Sequence, residues 1–393
     1  MVKKTFDEVV LLARTGLNPR DNFKLGNGSN KYITIKNIHN NEIIIDENTD
    51  VVDDAAIELI HKRSQIKKGD ILFCSIGRMG DMYIIPDEPQ GWDINESVFA
   101  FTVDTKLVRQ KYFYYVFKNR DTIEYLSKNS SGSTFKSIKM NQLKKMVFDL
   151  PSLDEQDAIV GILDRLCDII QKRKQELDRL DDLIKARFVE LFGNGNHKIV
   201  KAAEVCDFIT KGTTPPTGEI CEEYGEEMVP FLKVYNLSFT GEMLFDDNPQ
   251  YIPKETHNGK LARSKVYPND VLMNIVGPPL GKFTIVTNEF EEWNINQAIA
   301  IFRAKERILP RFLLHALMQP TVLEPFIGQA VGIRQQNLSL EQCRNLRFPL
   351  PSIEEQRSFV EFAEQLDKSK FVVQKTLDET RILFDSLMQK YFG

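Results

Sequence analysis

Pro151-Ser152-Leu153-Asp154-Glu155-Gln156 returns as Pro351-Ser352-Ile353-Glu354-Glu355-Gln356, so the chain of 393 residues repeats itself at a spacing of 200. In both copies a proline precedes a serine at the N-cap with a glutamate three residues on, a pattern in which hydroxyl and carboxylate satisfy orphan backbone donors reciprocally. Each copy therefore opens a helix. Beyond the first cap, apolar residues recur at Leu163, Leu166, Ile170, Leu177, Leu180, Ile184 and Leu191; beyond the second, at Ala363, Leu366, Val373, Leu377, Phe384, Leu387 and Tyr391. Steps of three and four define a coiled-coil seam, interrupted at Arg173, Lys370 and Thr380. At about 1.5 Å per residue, roughly 40 residues make a rod of about 60 Å. Two like helices following two like domains predict an antiparallel pair about a pseudo-two-fold axis. The plainer alternative is that each helix packs only on its own domain.

Outward from the caps, the earlier part of each half repeats as well. Tyr32-Ile33-Thr34-Ile35-Lys36-Asn37-Ile38 matches Phe231-Leu232-Lys233-Val234-Tyr235-Asn236-Leu237, and Gly69-Asp70-Ile71-Leu72 matches Asn269-Asp270-Val271-Leu272. Trp92-Asp93-Ile94-Asn95 matches Trp293-Asn294-Ile295-Asn296, and Leu143 to Pro151 aligns with Cys343 to Pro351 without a gap. A unit of about 200 residues buries its own core, so this is duplication of a domain and its helix, not a solenoid. The expected organisation is α+β, with mixed domains at 1–150 and 193–350 and spacer helices at 151–192 and 351–393. Between the matched islands the halves diverge, most at 16–30 against 212–230 and at 39–66 against 238–265. A shared framework with different surfaces implies two different ligands of one chemical kind.

Composition excludes several classes. With 42% apolar and 27% charged residues the chain is an ordinary globular one. No run approaches the roughly 18 apolar residues of a membrane span, and the opening Met1-Val2-Lys3-Lys4-Thr5-Phe6-Asp7-Glu8 sets acids where a signal peptide needs its apolar core, so a cytoplasmic chain without membrane contact is expected. Cys74, Cys167, Cys206, Cys221 and Cys343 are odd in number and scattered, indicating neither a disulfide framework nor a zinc site. The net charge of −5 is uneven: residues 152–192 carry 10 acids and 7 bases and 352–392 carry 8 and 6, leaving 38 of each elsewhere. Residues 105–148 hold 10 Lys or Arg against Asp121 and Glu124, and 303–348 hold 7 against Glu306, Glu324 and Glu341. A basic stretch in the latter part of both domains points to a polyanion.

Catalytic motifs are missing. Asn248-Pro249-Gln250-Tyr251 lacks the second proline of an adenine-methyltransferase pocket and reads as a turn. Gly277-Pro278-Pro279-Leu280-Gly281 lacks the Lys-Ser or Lys-Thr of a phosphate loop and reads as a tight connection after a strand.

The ordered set of motifs, present twice, resembles the specificity subunit of type I restriction-modification systems over nearly the whole chain. It comprises the Pro-Ser-x-x-Glu-Gln openings and the loops Ser131-Gly132-Ser133-Thr134-Phe135-Lys136-Ser137-Ile138 and Gly332-Ile333-Arg334-Gln335-Gln336-Asn337-Leu338, together with the strands running into Gly77 and Gly277. The resemblance implies two target-recognition domains, each reading half of a split, asymmetric double-stranded DNA sequence, on an antiparallel helix pair that seats two methyltransferase subunits, with restriction and translocase subunits joining that core. It implies no catalysis by this chain, with S-adenosylmethionine, ATP and Mg on the partner subunits. Asn and Gln suit adenine, and Arg and Lys suit guanine. Candidate DNA-binding residues are Lys31, Lys36, Asn37, Arg78, Ser133, Thr134, Lys136 and Lys139 in the first domain and Lys233, Tyr235, Asn236, Arg263, Arg334, Gln335, Gln336 and Asn337 in the second. Asn37 and Asn236 stand just after strands, where the competing role is to shape a turn. The residues themselves leave two other readings open: the specificity component of another modification or phage-defence system, and a coiled-coil assembly protein without DNA affinity.

Overall fold

A computed structural model describes residues 2–39, 41–132, 136–277, 279–327 and 336–393. Both repeated hexapeptides cap helices as their sequence requires. The backbone N–H and hydroxyl of Ser152 donate to Glu155 Oε2 at 2.9 and 2.8 Å, and the Glu155 N–H donates back to Ser152 Oγ. Ser352 and Glu355 repeat the arrangement. The helices that follow run Leu153–Phe192 and Ile353–Phe392. The sixth residue of the motif does more. Gln156 is fully buried; its Oε1 accepts the Arg109 N–H at 2.8 Å and its Nε2 donates to Leu107 O and Pro151 O. Gln356 makes the same three bonds, to the Leu309 N–H, Arg307 O and Pro351 O. Each amide thus ties a helix start to a loop of its own domain and leaves no buried polar group open.

The chain clusters into two compact units, Met1–Lys172 with Thr376–Gly393, and Arg173–Lys375. These units cut across the segments expected from sequence, because the boundaries fall inside both long helices.

In the first unit, a four-stranded antiparallel sheet orders Val10–Thr15, Val98–Val103, Ile71–Cys74 and Met82–Ile84 side by side. A second sheet pairs Asn30–Ile33 in parallel with Trp92–Ile94, so the sequence islands around Tyr32 and Trp92 are spatial neighbours. The strand Val2–Thr5 pairs with Val147–Leu150, which leads into the first long helix. The core gathers Phe6, Phe73, Phe101, Phe113, Phe117 and Phe148, with Phe6 edge-on to Phe101 at 5.2 Å. The last turns of the C-terminal helix close it: Phe392 packs on Tyr112 at 5.1 Å, and Asn119 Nδ2 donates to Phe392 O at 2.5 Å.

The second unit repeats this plan. Its four-stranded sheet orders Cys206–Lys211, Ile299–Ala304, Val271–Asn274 and Phe283–Ile285, and Met228–Leu232 pairs in parallel with Trp293–Ile295. Lys198–Lys201 pairs with Arg347–Leu350. The helix end inserted here belongs to the first long helix, with Phe192 at 5.3 Å from Phe312. Each unit therefore holds the start of one long helix and the end of the other, which is the antiparallel arrangement. The reading in which each helix serves only its own domain is set aside.

The seam holds, with one change of meaning. Leu163, Leu166, Ile184, Ala363, Val373 and Leu377 are buried, and so is Lys370, read from sequence as an interruption. Its Nζ lies 2.8 Å from Asp181 on the facing helix and 3.0 Å from Asp367 one turn back. Burial works against the Lys370 ammonium, but the hydrogen bond to Asp181 and the charge of Asp367 outweigh it, and the pKa is raised.

Two outcomes test these contacts by denaturant titration. Gln356→Ala, which strands a buried N–H and carbonyl, is expected to cost about 2 kcal/mol. Lys370→Ala, which leaves Asp181 without its counter-charge and Asp367 with Arg311 alone, is expected to cost about 3 kcal/mol, and Lys370→Arg clearly less.

Candidate nucleic-acid interface

In both units one end of the four-stranded sheet collects loops rich in the candidate residues. In the first unit, Thr15 pairs with Phe99 and Cys74 with Val98, so the ends of two strands and the start of a third come together. The segment after Cys74 carries Gly77 and Arg78. Gly77 N–H donates to Lys136 O at 3.2 Å, and Ile138 N–H to Ser75 O at 2.9 Å. Arg78 Nη2 donates to Ile35 O at 2.9 Å and to Lys36 O, and Nη1 contacts His39 Nδ1. Lys36, Arg78 and Lys136 are thereby brought together on exposed loops.

The remaining candidates are placed differently. Lys31 is half-buried in its strand opposite Trp92, and Lys139 is exposed at the start of the short helix Met140–Leu143. Asn37 is buried: its Oδ1 accepts the Thr34 N–H and its Nδ2 donates to Ile44 O. Asn236, with no exposure, does the same with the Lys233 N–H and Leu244 O. Both amides are engaged in holding the turn after the strand, and they present no edge to a base.

In the second unit, Ile299 pairs with Asn274 and Lys211 with Ala300 at the corresponding end. Val276–Gly277 forms a short strand with Gln336–Asn337, so the candidate segment and the glycine stretch meet directly. Gly277 is thus part of a ladder as well as of the tight connection expected there. Asn337 and Tyr235 are exposed and Lys233 is half-buried. Arg263 is exposed, and its Nε donates to Thr213 Oγ1 at 3.1 Å. Ser133, Thr134, Arg334 and Gln335 lie outside the described residues.

Sequence reasoning passes over Arg63, which stands 200 residues before Arg263 and makes the matching contact, Nε to Thr15 Oγ1 at 3.4 Å. The offset that aligns the caps would have found it. The basic stretches also require correction as a group. Arg109 is bidentate on Asp157, Lys111 lies 2.5 Å from Asp164 and Lys118 3.2 Å from Asp81; Arg303 pairs with Asp270 at 2.7 Å and Arg311 with Asp367. Asp157, Asp164 and Asp367 belong to the acidic long helices. Arg109, Lys111 and Arg311 therefore seat each domain on a helix, and the free cations are fewer than the sequence count.

Two like domains with different exposed side chains at corresponding sheet ends, joined by paired helices, define a two-headed binding protein. The chain belongs to the family described as the type I restriction modification DNA specificity domain, whose model matches residues 1–179 and 194–380. It is similar to the type I restriction enzyme EcoBI specificity subunit of Escherichia coli, 25% identical over 329 residues that cover 76% of this chain and 68% of that one. A stretch of 109 residues, 27% of this chain and 25% of the relative, is 33% identical to the MjaIX specificity subunit of Methanocaldococcus jannaschii. Among solved structures, the S subunit from M. genitalium shares the fold with a TM-score of 0.52 at 16% identity, covering 100% of this chain and 96% of that one. A chain from a structure of the type I R-M system gives 0.57 at 18% identity, covering 100% and 97%. No helix among the described residues is long and apolar enough to cross a membrane.

The buried amides separate shape from readout. Asn236→Ala is expected to destabilise the fold by about 1–3 kcal/mol, as loss of a buried hydrogen-bonding group does, while Tyr235→Ala leaves the melting curve unchanged and alters only ligand affinity. Denaturation and binding measured on the same preparations distinguish the two.

Proposed function

We propose that this chain is the DNA-reading subunit of a type I restriction-modification complex, in which each domain reads one half of a split, asymmetric duplex sequence. The observation that carries this reading is the duplicated sheet end, alike in backbone and unlike in the residues the sequence places on it. Lys36 in one unit stands where Tyr235 stands in the other, and Lys136 where Gln336 stands. One framework reading two base sequences requires that combination: the fold is kept and the edge-reading groups change. The candidate base-reading set is Lys36, Arg78, Ser133, Thr134 and Lys136 in the first domain and Tyr235, Arg334, Gln335, Gln336 and Asn337 in the second.

Two methyltransferase subunits are seated on the long helices, and restriction subunits join that core. Support for a protein partner comes from large apolar side chains left exposed there, including Phe371 at 72% and Ile382 at 69%. S-adenosylmethionine, ATP and Mg belong to the partners, and this chain performs no chemistry of its own. Labelled S-adenosylmethionine incubated with the pure chain and DNA is expected to give no methyl transfer.

The complex with the methyltransferase is expected to enrich, from a random pool, duplexes with two short fixed elements at constant spacing. Exchanging residues 1–150 for those of another such chain should change one element only. Recovery of no common sequence from an intact, cofactor-supplied complex would return the chain to the assembly-protein reading. Within this scheme Gln335→Ala relaxes one half-site by about 1–3 kcal/mol if its contact is bidentate.

A further inference from the structure

A reader of two different half-sites meets different bases in each but the same phosphodiester backbone in both. Side chains that read bases must then differ between the domains, whereas side chains that grip phosphate are free to be identical. At the two sheet ends, Lys36 has become Tyr235 and Lys136 has become Gln336, but Arg63 and Arg263 are unchanged.

Their contacts are alike, although Arg63 lies in the helix Asp54–Ser64 and Arg263 in the short turn Ala262–Ser264, and the threonine precedes its glycine in one unit and follows it in the other. Both arginines are exposed, and each donates Nε to a threonine hydroxyl, Thr15 at 3.4 Å and Thr213 at 3.1 Å. Each threonine adjoins a glycine pressed against the neighbouring chain: a Cβ on Gly16 would lie 1.8 Å from Ile94 O, and one on Gly212 would lie 2.1 Å from Asn296 O. No side chain fits there, so the backbone beside each threonine runs close against the neighbouring segment. The guanidinium is held through Nε, and among the described residues no partner occupies its Nη1 and Nη2 groups. These outward amino groups form the planar fork that matches phosphate oxygens. Thr15 closes the strand Val10–Thr15, and Thr213 lies two residues beyond the strand Cys206–Lys211; both strands end beside the Gly77–Arg78 and Val276–Gly277 segments.

On the reading that these sheet ends face duplex DNA, we propose that Arg63 and Arg263 are phosphate anchors, one per domain, which grip the backbone of each half-site and set the register in which the divergent residues meet the bases. Arg263 is thereby reassigned from base reader to anchor, and Arg63 joins it.

The test uses the complex copurified with the methyltransferase, a duplex carrying the recovered target and a scrambled duplex of equal length, with dissociation constants taken across a salt series. Arg63→Ala and Arg263→Ala are each expected to weaken both duplexes by the same factor and to make the slope of log K against log salt shallower by about 0.9, the value for one phosphate contact. Arg63→Lys, which keeps the charge and loses the fork, should retain the slope. Unchanged affinity and slope in both alanine variants, or a changed base preference in a repeated selection, would overturn the anchor while leaving DNA reading intact. A wild-type complex that binds neither duplex at any salt concentration would overturn both.

Discussion

The contact on which the rest depends is one buried carboxamide used twice. Gln156 and Gln356 each accept one backbone N–H and donate to two carbonyls, fixing the first turn of a 40-residue helix against the domain that precedes it. Because a helix of this length is stiff, fixing its start also fixes where its far end emerges. That end carries Phe192 in one case and Phe392 in the other, and both meet an aromatic ring at the same place in a repeated domain, Phe312 or Tyr112. A polar clamp at one end and an aromatic plug at the other make the two helices mutually dependent, and the pseudo-two-fold arrangement follows from those local contacts.

Repetition of the fold has not meant repetition of its residues. Asp70 and Asp270 are matched, buried carboxylates, and each is neutralised by an arginine. In the first domain that arginine is Arg14, from the edge strand Val10–Thr15; in the second it is Arg303, from the strand Ile299–Ala304 beside it. The buried charge had to keep a partner, but either neighbouring strand could supply it. Lys370 and Asp181 show the same freedom in the helix pair, since the position 200 residues earlier is the apolar Ile170. What is retained is satisfaction of the buried group, while the side chain that provides it drifts.

This explains what was legible in the sequence. The caps, the seam and the paired domains are local or periodic patterns whose cause lies within a few residues, and they could be read directly. Asn37 and Asn236 could not be assigned from type alone, because an asparagine after a strand suits a base edge and a turn equally until its burial is known. The basic stretches overcounted the free cations for a related reason: charge counts along the chain do not reveal that Asp157, Asp164 and Asp367 on the helices face Arg109, Lys111 and Arg311. Lys370 looked like a flaw in the seam because Asp181, which joins Asp367 as its partner, becomes a neighbour only once the helices pair. Arg63 was readable, since the repeat offset alone points to it.

The plug formed by Phe392 bears on how the protein is made. Its carbonyl accepts a hydrogen bond from Asn119 across 273 residues of sequence, and its ring covers Tyr112 in a core otherwise built from residues up to Val160. On a ribosome the N-terminal domain emerges first, yet the wall that residues 376–393 provide does not exist until the second domain has been synthesised. The second domain meets no such delay, because Phe192 precedes it in the chain. The half translated first is therefore the half completed last, and while the second domain is being made it exposes an apolar surface that only a segment beyond that domain can cover.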